Sequence, residues 1–220
     1  MIEIIPAILT NNATELLDYV KKIQDSVDVN LANIKRIQID VLDGQFADNK
    51  TVDPSLLSDM DTNLSLDFHL MVKEPIRWIE KSANAGADRI IAQIEMMSSQ
   101  IEFVKRVQET GLYVGLALDL DTPISKLDPV VLTNLDVVLL MAVKAGWGGQ
   151  EFNSKVLSKI KALDEIRIRD KTPFKICVDG GETENTIYKT HYEGADEVAI
   201  GRRIIDGNIS ENIRLMQESA

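Results

Sequence analysis

Residues 174–201 read FKICVDGGETENTIYKTHYEGADEVAIG and contain one complete strand–helix–strand unit. The apolar runs at residues 174–178 and 197–200 have the length of strands, and residues 184–192 between them have the pattern of a helix. Two parallel strands can be joined only by a long crossover, and a helix is the usual one. This unit therefore predicts an α/β fold with a parallel sheet.

The same alternation extends over the whole chain of 220 residues. Further strand-length apolar runs occur at residues 3–8, 36–41, 65–70, 89–94, 113–118 and 137–143. Further helices are predicted at residues 14–23, 75–85, 99–109, 123–132, 154–167 and 210–216, with a weaker one at 53–60. Eight such units favour a (β/α)8 TIM barrel, and we expect a single domain over residues 1–220. A doubly wound open sheet is the alternative, but it normally uses fewer strands and no GxGxxG follows the first strand.

Two segments resemble each other half a chain apart. AGADRII spans residues 85–91, and EGADEVAI spans residues 193–200. In both, a glycine ends the predicted helix and a strand begins just after it. Glycine is favoured at that point because it adopts a positive φ without strain. The repetition suits a closed barrel built from two similar halves.

The charge of the chain restricts its partners. The net charge is -11, so a polyanion such as nucleic acid is not an expected partner. No apolar run reaches the roughly 18 residues that cross a membrane, so none is expected to insert. The opening MIEIIPAILTNN has neither the basic region nor the cleavage site of a signal peptide. We therefore expect a cytoplasmic protein.

Polar side chains stand at the ends of three predicted strands. Gln38 and Asp40 share one face of the second strand, because alternate residues point the same way. His69 and Met71 share a face at the end of the third, and Asp179 follows the seventh. In a TIM barrel these ends line one bowl. Each residue alone has a structural explanation, but together they favour a functional site, and such a set can hold one divalent cation.

Glycine-rich loops follow three consecutive predicted strands. KAGWGGQEF, at residues 144–152, follows the sixth strand, a glycine pair follows the seventh, and a glycine followed by arginine comes after the eighth. Glycine lets the backbone approach an anion closely, and phosphate sites in these barrels form at such loops. The residues expected to bind phosphate are Gly146, Gly148, Gly149, Gly180, Gly181, Gly201 and Arg202.

These motifs resemble the ribulose-phosphate 3-epimerase family over nearly the whole chain. The corresponding segments, in the family's order, are IPAIL at 5–9, QIDVLDGQF at 38–46, HLMVKEP at 69–75, LLMAVKAGWGGQEF at 139–152 and VDGGETENT at 178–186. The resemblance implies an isomerase of the pentose phosphate pathway. Such an enzyme inverts carbon 3 of a ketopentose 5-phosphate and so interconverts ribulose 5-phosphate and xylulose 5-phosphate.

The resemblance also implies roles for individual residues. The family's acid/base pair falls on Asp40 and Asp179, which transfer protons on opposite faces of the carbon through a metal-stabilised enediolate. The implied metal ligands are Gln38, Asp40, His69 and Asp179. The implied substrate contacts are His69, Met71, Met141 and the glycine loops. A small phosphorylated ketose as partner and a homo-oligomeric state are implied in the same way.

Three departures from the family pattern bear on activity. Gln38 stands where the family has His, and an amide is a poorer zinc ligand than an imidazole. We therefore expect the one divalent ion (Zn, Mn, Mg or Fe) to bind weakly, to be a harder ion, or to be absent. Ala7 replaces a serine, and Arg202 replaces a small residue, so that it would either contact the phosphate or block its cradle. Two alternatives follow: a 3-epimerase of another ketose phosphate, such as a hexulose 6-phosphate, and a non-catalytic relative that binds phosphosugars.

Overall fold

Eight parallel strands form a closed barrel in chain order. The computed structural model describes residues 2–28 and 34–220 of the chain. The strands are β1 (Glu3–Ile8), β2 (Arg36–Leu42), β3 (Ser65–Met71), β4 (Arg89–Gln93), β5 (Tyr113–Leu118), β6 (Val137–Met141), β7 (Lys175–Asp179) and β8 (Glu197–Ile200). Each strand pairs with the next, and β1 also pairs with β8. The predicted TIM barrel is confirmed.

Helices surround this sheet. They are α1 (Ala13–Asp28), α2 (Ile79–Asn84), α3 (Gln100–Glu109), α4 (Lys155–Asp170), α5 (Ile187–Tyr192), α6 (Arg202–Ile205) and α7 (Ile209–Ser219). Ser99 and Asn208 cap α3 and α7, since each side chain accepts a hydrogen bond from a backbone N–H in the first turn. Within the described residues, no helix combines the length and the apolarity needed to cross a membrane.

The helix predicted at residues 123–132 is wrong. Only two short 3-10 turns occur there, Ile124–Lys126 and Leu132–Asn134. The reason is local, because Asp128 precedes Pro129 and a residue before proline is pushed out of the helical conformation. The apolar spacing of this segment therefore reflects packing of a turn against the barrel.

Two other helix predictions are partly correct. The weak prediction at residues 53–60 corresponds to a single 3-10 turn, Pro54–Leu57, capped by the side chain of Asp53. The prediction at residues 75–85 corresponds to a 3-10 turn, Pro75–Trp78, followed by α2. The other predicted helices and strands are present, with ends that differ by a few residues.

The repeated glycine and aspartate of residues 85–91 and 193–200 have matching structural roles. Gly86 has φ +83 and Gly194 has φ +113, conformations that favour glycine. The carboxylate of Asp88 accepts a hydrogen bond of 2.8 Å from the backbone N–H of Leu66 in β3. The carboxylate of Asp196 accepts one of the same length from the backbone N–H of Ile176 in β7. The repetition thus fixes where β4 and β8 begin relative to a neighbouring strand.

Apolar side chains fill two regions. The larger lies between the sheet and the helices and includes Phe68, Phe103 and Phe174, all with no exposed surface. A smaller cluster fills the barrel interior and includes Leu139 and Cys177. Burial raises the pKa of the Cys177 thiol well above its usual range, so this side chain stays protonated and unreactive.

Charged side chains close the interior at the N-terminal ends of the strands. The guanidinium of Arg89 donates to Asp67 at 2.5 Å and to Glu197 at 2.8 Å, and neither carboxylate is exposed. Arg36 donates to Asp67 at 2.8 Å, and Lys175 donates to Glu197 at 2.7 Å. The sequence analysis did not anticipate this network, which we call the basal ion network.

Replacing Arg89 with Met should lower the free energy of unfolding by about 3–5 kcal/mol, because Asp67 and Glu197 would stay buried without their shared partner. Urea denaturation followed by circular dichroism measures the change. Arg106→Met is the matched control, since Arg106 pairs with Glu80 and Glu109 on the surface and its loss should matter far less. An equal effect of the two replacements would contradict the role assigned to Arg89.

Candidate active site

A cleft of about 930 Å³ opens at the C-terminal ends of the strands. The residues of the sequence analysis that line it are Asp40, Met71, Met141, Gly146, Gly148, Gly149, Asp179, Gly180, Gly181, Gly201 and Arg202. Ala7 lines it as well, so a serine hydroxyl at this position would have faced the cleft. Gln38 and His69 lie beneath these residues with 1% and 0% of their surface exposed.

Asp40, His69 and Asp179 meet at the floor of this cleft. The Nδ1 atom of His69 is 3.1 Å from Oδ1 of Asp40 and 3.5 Å from Oδ2 of Asp179. One ligand atom from each residue lies within 4.8 Å of the other two. Parallel pairing brings this about, because β2 and β3 place Asp40 beside His69 in register. We call this group the Asp–His–Asp centre.

Gln38 binds the two carboxylates from below. Its Nε2 atom donates to Oδ1 of Asp40 at 2.8 Å and to Oδ2 of Asp179 at 2.7 Å. Its Oε1 atom is buried and has no hydrogen-bond partner among the described residues. The amide N–H groups thereby reduce the repulsion between two carboxylates that lie close together in a buried place.

The surroundings raise the pKa values of Asp40 and His69. Burial raises the pKa of Asp40, and the charge of Asp179 adds to this, while hydrogen bonds from His69 and Gln38 oppose it. Burial acts to lower the pKa of His69, but its hydrogen bonds to Asp179 and Asp40 outweigh that effect and raise the pKa to about 9. The centre therefore holds a proton near neutral pH, which suits groups that transfer protons.

Gln93 contacts the other side of His69. Its Nε2 atom is 3.2 Å from Nε2 of the imidazole, and both side chains are fully buried. An imidazolium would direct an N–H at this amide N–H, so the contact fits the neutral ring with its proton on Nδ1. A ring protonated on both nitrogens would need the amide to turn and offer its oxygen.

The sequence analysis missed Gln93. It lies at the end of β4, inside an apolar run whose pattern predicts only a strand. The available signal was a polar side chain inside a buried strand, because such a group needs a hydrogen-bond partner.

The glycine loops approach one another on one side of the cleft. Gly181 has φ +69, and a Cβ atom there would lie 2.4 Å from the backbone nitrogen of Phe152, so the loop after β7 fits against the loop after β6 only without a side chain. The guanidinium of Arg202 lies against the loop after β6, since a Cβ atom at Gly149 would be 3.0 Å from Nη1 of Arg202. Among the described residues, Arg202 makes no ion pair, so its charge is available to a ligand in the cleft.

The Asp–His–Asp centre can hold a divalent cation. Two carboxylates and an imidazole are ligands that zinc, manganese and iron accept. Gln38 now presents its amide N–H groups to the same space, and an N–H group cannot ligate a metal. The buried Oε1 atom of Gln38 becomes a ligand only if the amide turns about its Cγ–Cδ bond.

Comparison with known proteins identifies the family. The profile described as Ribulose-phosphate 3 epimerase family matches residues 3–205. The chain belongs to this family. The ribulose-phosphate 3-epimerase of Bacillus subtilis is 34% identical over 207 residues, which cover 93% of this chain and 92% of that protein. The ribulose-phosphate 3-epimerase of Synechocystis is 31% identical over 223 residues, which cover 99% and 94%.

The fold also occurs in solved structures outside this family. Orotidine 5'-phosphate decarboxylase from Pyrococcus horikoshii superposes with a TM-score of 0.64 and 17% identity, over 98% of each chain. At this identity the likeness concerns the fold alone.

Replacing Gln38 with His should tighten zinc binding by about tenfold or more, because imidazole is a better zinc ligand than an amide and about 1.4 kcal/mol gives a factor of ten. Competition with a chromogenic chelator measures the Kd. Gln108→His, on the exposed face of α3, is the matched control and should leave the Kd unchanged. The position of Gln38 at the cation site would be disproved by equal zinc affinities of the Gln38→His variant and the unaltered chain.

Proposed function

We propose that this protein inverts carbon 3 of a ketopentose 5-phosphate and interconverts ribulose 5-phosphate and xylulose 5-phosphate. One observation carries the proposal: Asp40 on β2 and Asp179 on β7 both reach the floor of one cleft, close enough for a single amide nitrogen to bind both. Inversion requires a proton to leave one face of the carbon and another to arrive at the opposite face. Two carboxylates from different strands can perform these steps on opposite sides of a bound sugar.

Proton transfer by this pair needs one aspartate ionised and the other protonated. In the proposed mechanism, one carboxylate removes the proton from carbon 3 and the other donates a proton to the far face. Burial and the nearness of Asp179 keep the pKa of Asp40 raised, which strengthens it as a base. Either direction of the reaction exchanges the roles of the two residues.

The enediolate formed after proton removal carries negative charge that must be stabilised. His69 lies beneath both carboxylates and, with its raised pKa, brings positive charge close to the floor where the enediolate would form. Asp40, His69 and Asp179 would also hold a divalent ion, whose positive charge would stabilise the oxygens of the enediolate. We propose that Gln38 makes this ion weakly bound and favours Mg²⁺ or Mn²⁺ over Zn²⁺.

The phosphate group is proposed to bind at the glycine loops. The backbone near Gly149, Gly181 and Gly201 faces the cleft, and Arg202 adds one positive charge there. A chain with a net charge of -11 repels a phosphorylated sugar overall, so local donors must outweigh that field. Arg202 lines the cleft and makes no ion pair among the described residues, which supports contact with the phosphate over blocking of the cradle.

A ketose phosphate with one more carbon is the second candidate substrate. The cleft of about 930 Å³ has room for such a sugar, and Ala7 leaves the space of a missing hydroxyl beside it. Assaying pentulose 5-phosphates and hexulose 6-phosphates side by side decides between the candidates. The non-catalytic alternative predicts thermal stabilisation by these sugars without solvent deuterium entering at carbon 3.

The homo-oligomeric state, the absence of nucleic acid and membrane partners, and the cytoplasmic location remain predictions.

Asp40→Asn and Asp179→Asn should each reduce epimerisation by about 10²–10⁴-fold, because an amide cannot accept the proton. Each variant should still exchange solvent deuterium into one of the two epimers, through the aspartate that remains. Proton NMR in deuterated water measures both rates. Asp121→Asn, an exposed carboxylate after β5, is the control. Normal inversion in either active-site variant, or no turnover of any ketose phosphate by the unaltered chain, would refute the proposal.

Arg202→Gln should raise KM for the phosphorylated ketose by about tenfold with a smaller change in kcat, because the phosphate stays bound throughout the reaction. Steady-state kinetics at fixed ionic strength measures both constants. Arg203→Gln is the matched control, since Arg203 is the next residue and pairs with Glu184 at 3.3 Å. If KM is unchanged in the Arg202→Gln variant, or rises equally in the Arg202→Gln and Arg203→Gln variants, Arg202 does not bind the phosphate.

A further inference from the structure

His69 is enclosed so completely that its neighbours decide where its proton sits. None of its surface is exposed, so water does not solvate either ring nitrogen. Nδ1 faces Asp40 and Asp179, while Nε2 faces Gln93. A neutral imidazole carries one proton, and the nitrogen that carries it depends on what the other nitrogen meets.

Gln93 can meet Nε2 in two ways. With its amide nitrogen towards the ring, as observed at 3.2 Å, it donates to Nε2, and the ring proton must be on Nδ1. With the amide turned by half a rotation, its oxygen would accept a proton from Nε2, and the lone pair of Nδ1 would face the aspartates. No side chain other than Gln93 forms a hydrogen bond with Nε2 within the described part of the chain.

The observed orientation of this amide is not fixed by its oxygen. Oε1 of Gln93 is buried and lacks a hydrogen-bond partner among the described residues. If the amide turned, this oxygen could accept from an Nε2–H, and the amide nitrogen would move to the place that the oxygen occupies. No hydrogen bond of the oxygen is lost by turning, so the oxygen does not hold the amide in the observed orientation. Whatever occupies the Nδ1 side can therefore determine the orientation.

We propose that Gln93 is a positioning residue that selects the tautomer of His69, and thereby decides whether Nδ1 serves as a hydrogen-bond donor to the aspartates or as a ligand for a cation. In the donor state, Nδ1–H points at Asp40, and Gln38 donates to both carboxylates. In the ligand state, both glutamine amides turn and present the oxygens that are unpartnered in the donor state. The proposed function supplies only the reason why this matters for catalysis.

Nitrogen NMR of the full chain can test this directly, because His69 and His191 are the only histidines in the sequence. Labelling histidine with ¹⁵N gives two imidazole rings, and His191→Gln assigns them. In chelator, at a pH above the raised pKa of His69, the neutral ring should show a protonated Nδ1 and an unprotonated Nε2. Zinc addition should make Nδ1 metal-bound and move the proton to Nε2. If Nε2 is protonated without metal at that pH, or stays unprotonated with zinc bound at Nδ1, the proposal is wrong.

Variants of Gln93 make the test specific. When ionised, the carboxylate of Gln93→Glu offers only acceptor oxygens, so the proton of His69 should move to Nε2 in chelator at the same pH. Gln93→Met has similar length without a strong donor or acceptor, so the two tautomers should mix and the shifts become intermediate. Gln108→Glu is the exposed control and should leave His69 unchanged. Circular dichroism shows whether each variant folds. If the buried glutamate prevents folding, the Gln93→Met variant still tests the proposal.

Wild-type nitrogen shifts for His69 in both folded Gln93 variants would overturn the proposal. The measurement needs no turnover, so it separates this inference from the proposed function. An inactive chain whose His69 tautomer follows Gln93 would refute the function and keep the inference. An active chain with an unresponsive His69 would do the reverse.

Discussion

Parallel pairing between β1 and β8 is the constraint on which the site depends. Glu3 to Pro6 pair with Glu197 to Ile200, and this contact turns a sheet with two edges into a closed ring. Only in the ring do β2 and β7, with β1 and β8 between them, curve towards each other across one interior. In an open sheet Asp40 and Asp179 would lie several strands apart. The closure therefore brings two like charges into one buried space, and the nearby residues are arranged to tolerate this.

The barrel tolerates buried charge in two different ways. At the base, Asp67 and Glu197 share the guanidinium of Arg89. Asp67 also accepts from Arg36 and Glu197 from Lys175, so positive and negative side chains nearly balance. At the floor of the cleft, two carboxylates receive hydrogen bonds from one neutral amide and lie beside one imidazole. The first arrangement holds charge in place, and the second leaves a proton able to move. Structure and chemistry are thus separated along the barrel axis.

The sequence predicted what depends on local pattern. Strand-length apolar runs and the glycine–aspartate repetition identified all eight strands, and the rule that barrel sites lie at strand ends selected Asp40, His69 and Asp179. Pattern failed where a local rule opposed the spacing, as at Pro129. It also failed where a polar residue has its partner on another strand. The role of Gln93 depends on its contact with His69, and the role of Arg89 on its contact with Glu197. Both contacts exist only in the folded barrel.

The basal ion network limits how a small molecule can enter and leave the barrel. Asp67 and Glu197 have no exposed surface and Arg89 has 3%, so one end of the barrel is sealed. The interior is a blind pit with a single mouth, and reactant and product must use the same opening. The glycine loop after β6, with the half-exposed Trp147 at its tip, borders that opening. A ligand bound at the floor must therefore enter and leave past this loop and the glycine loops beside it.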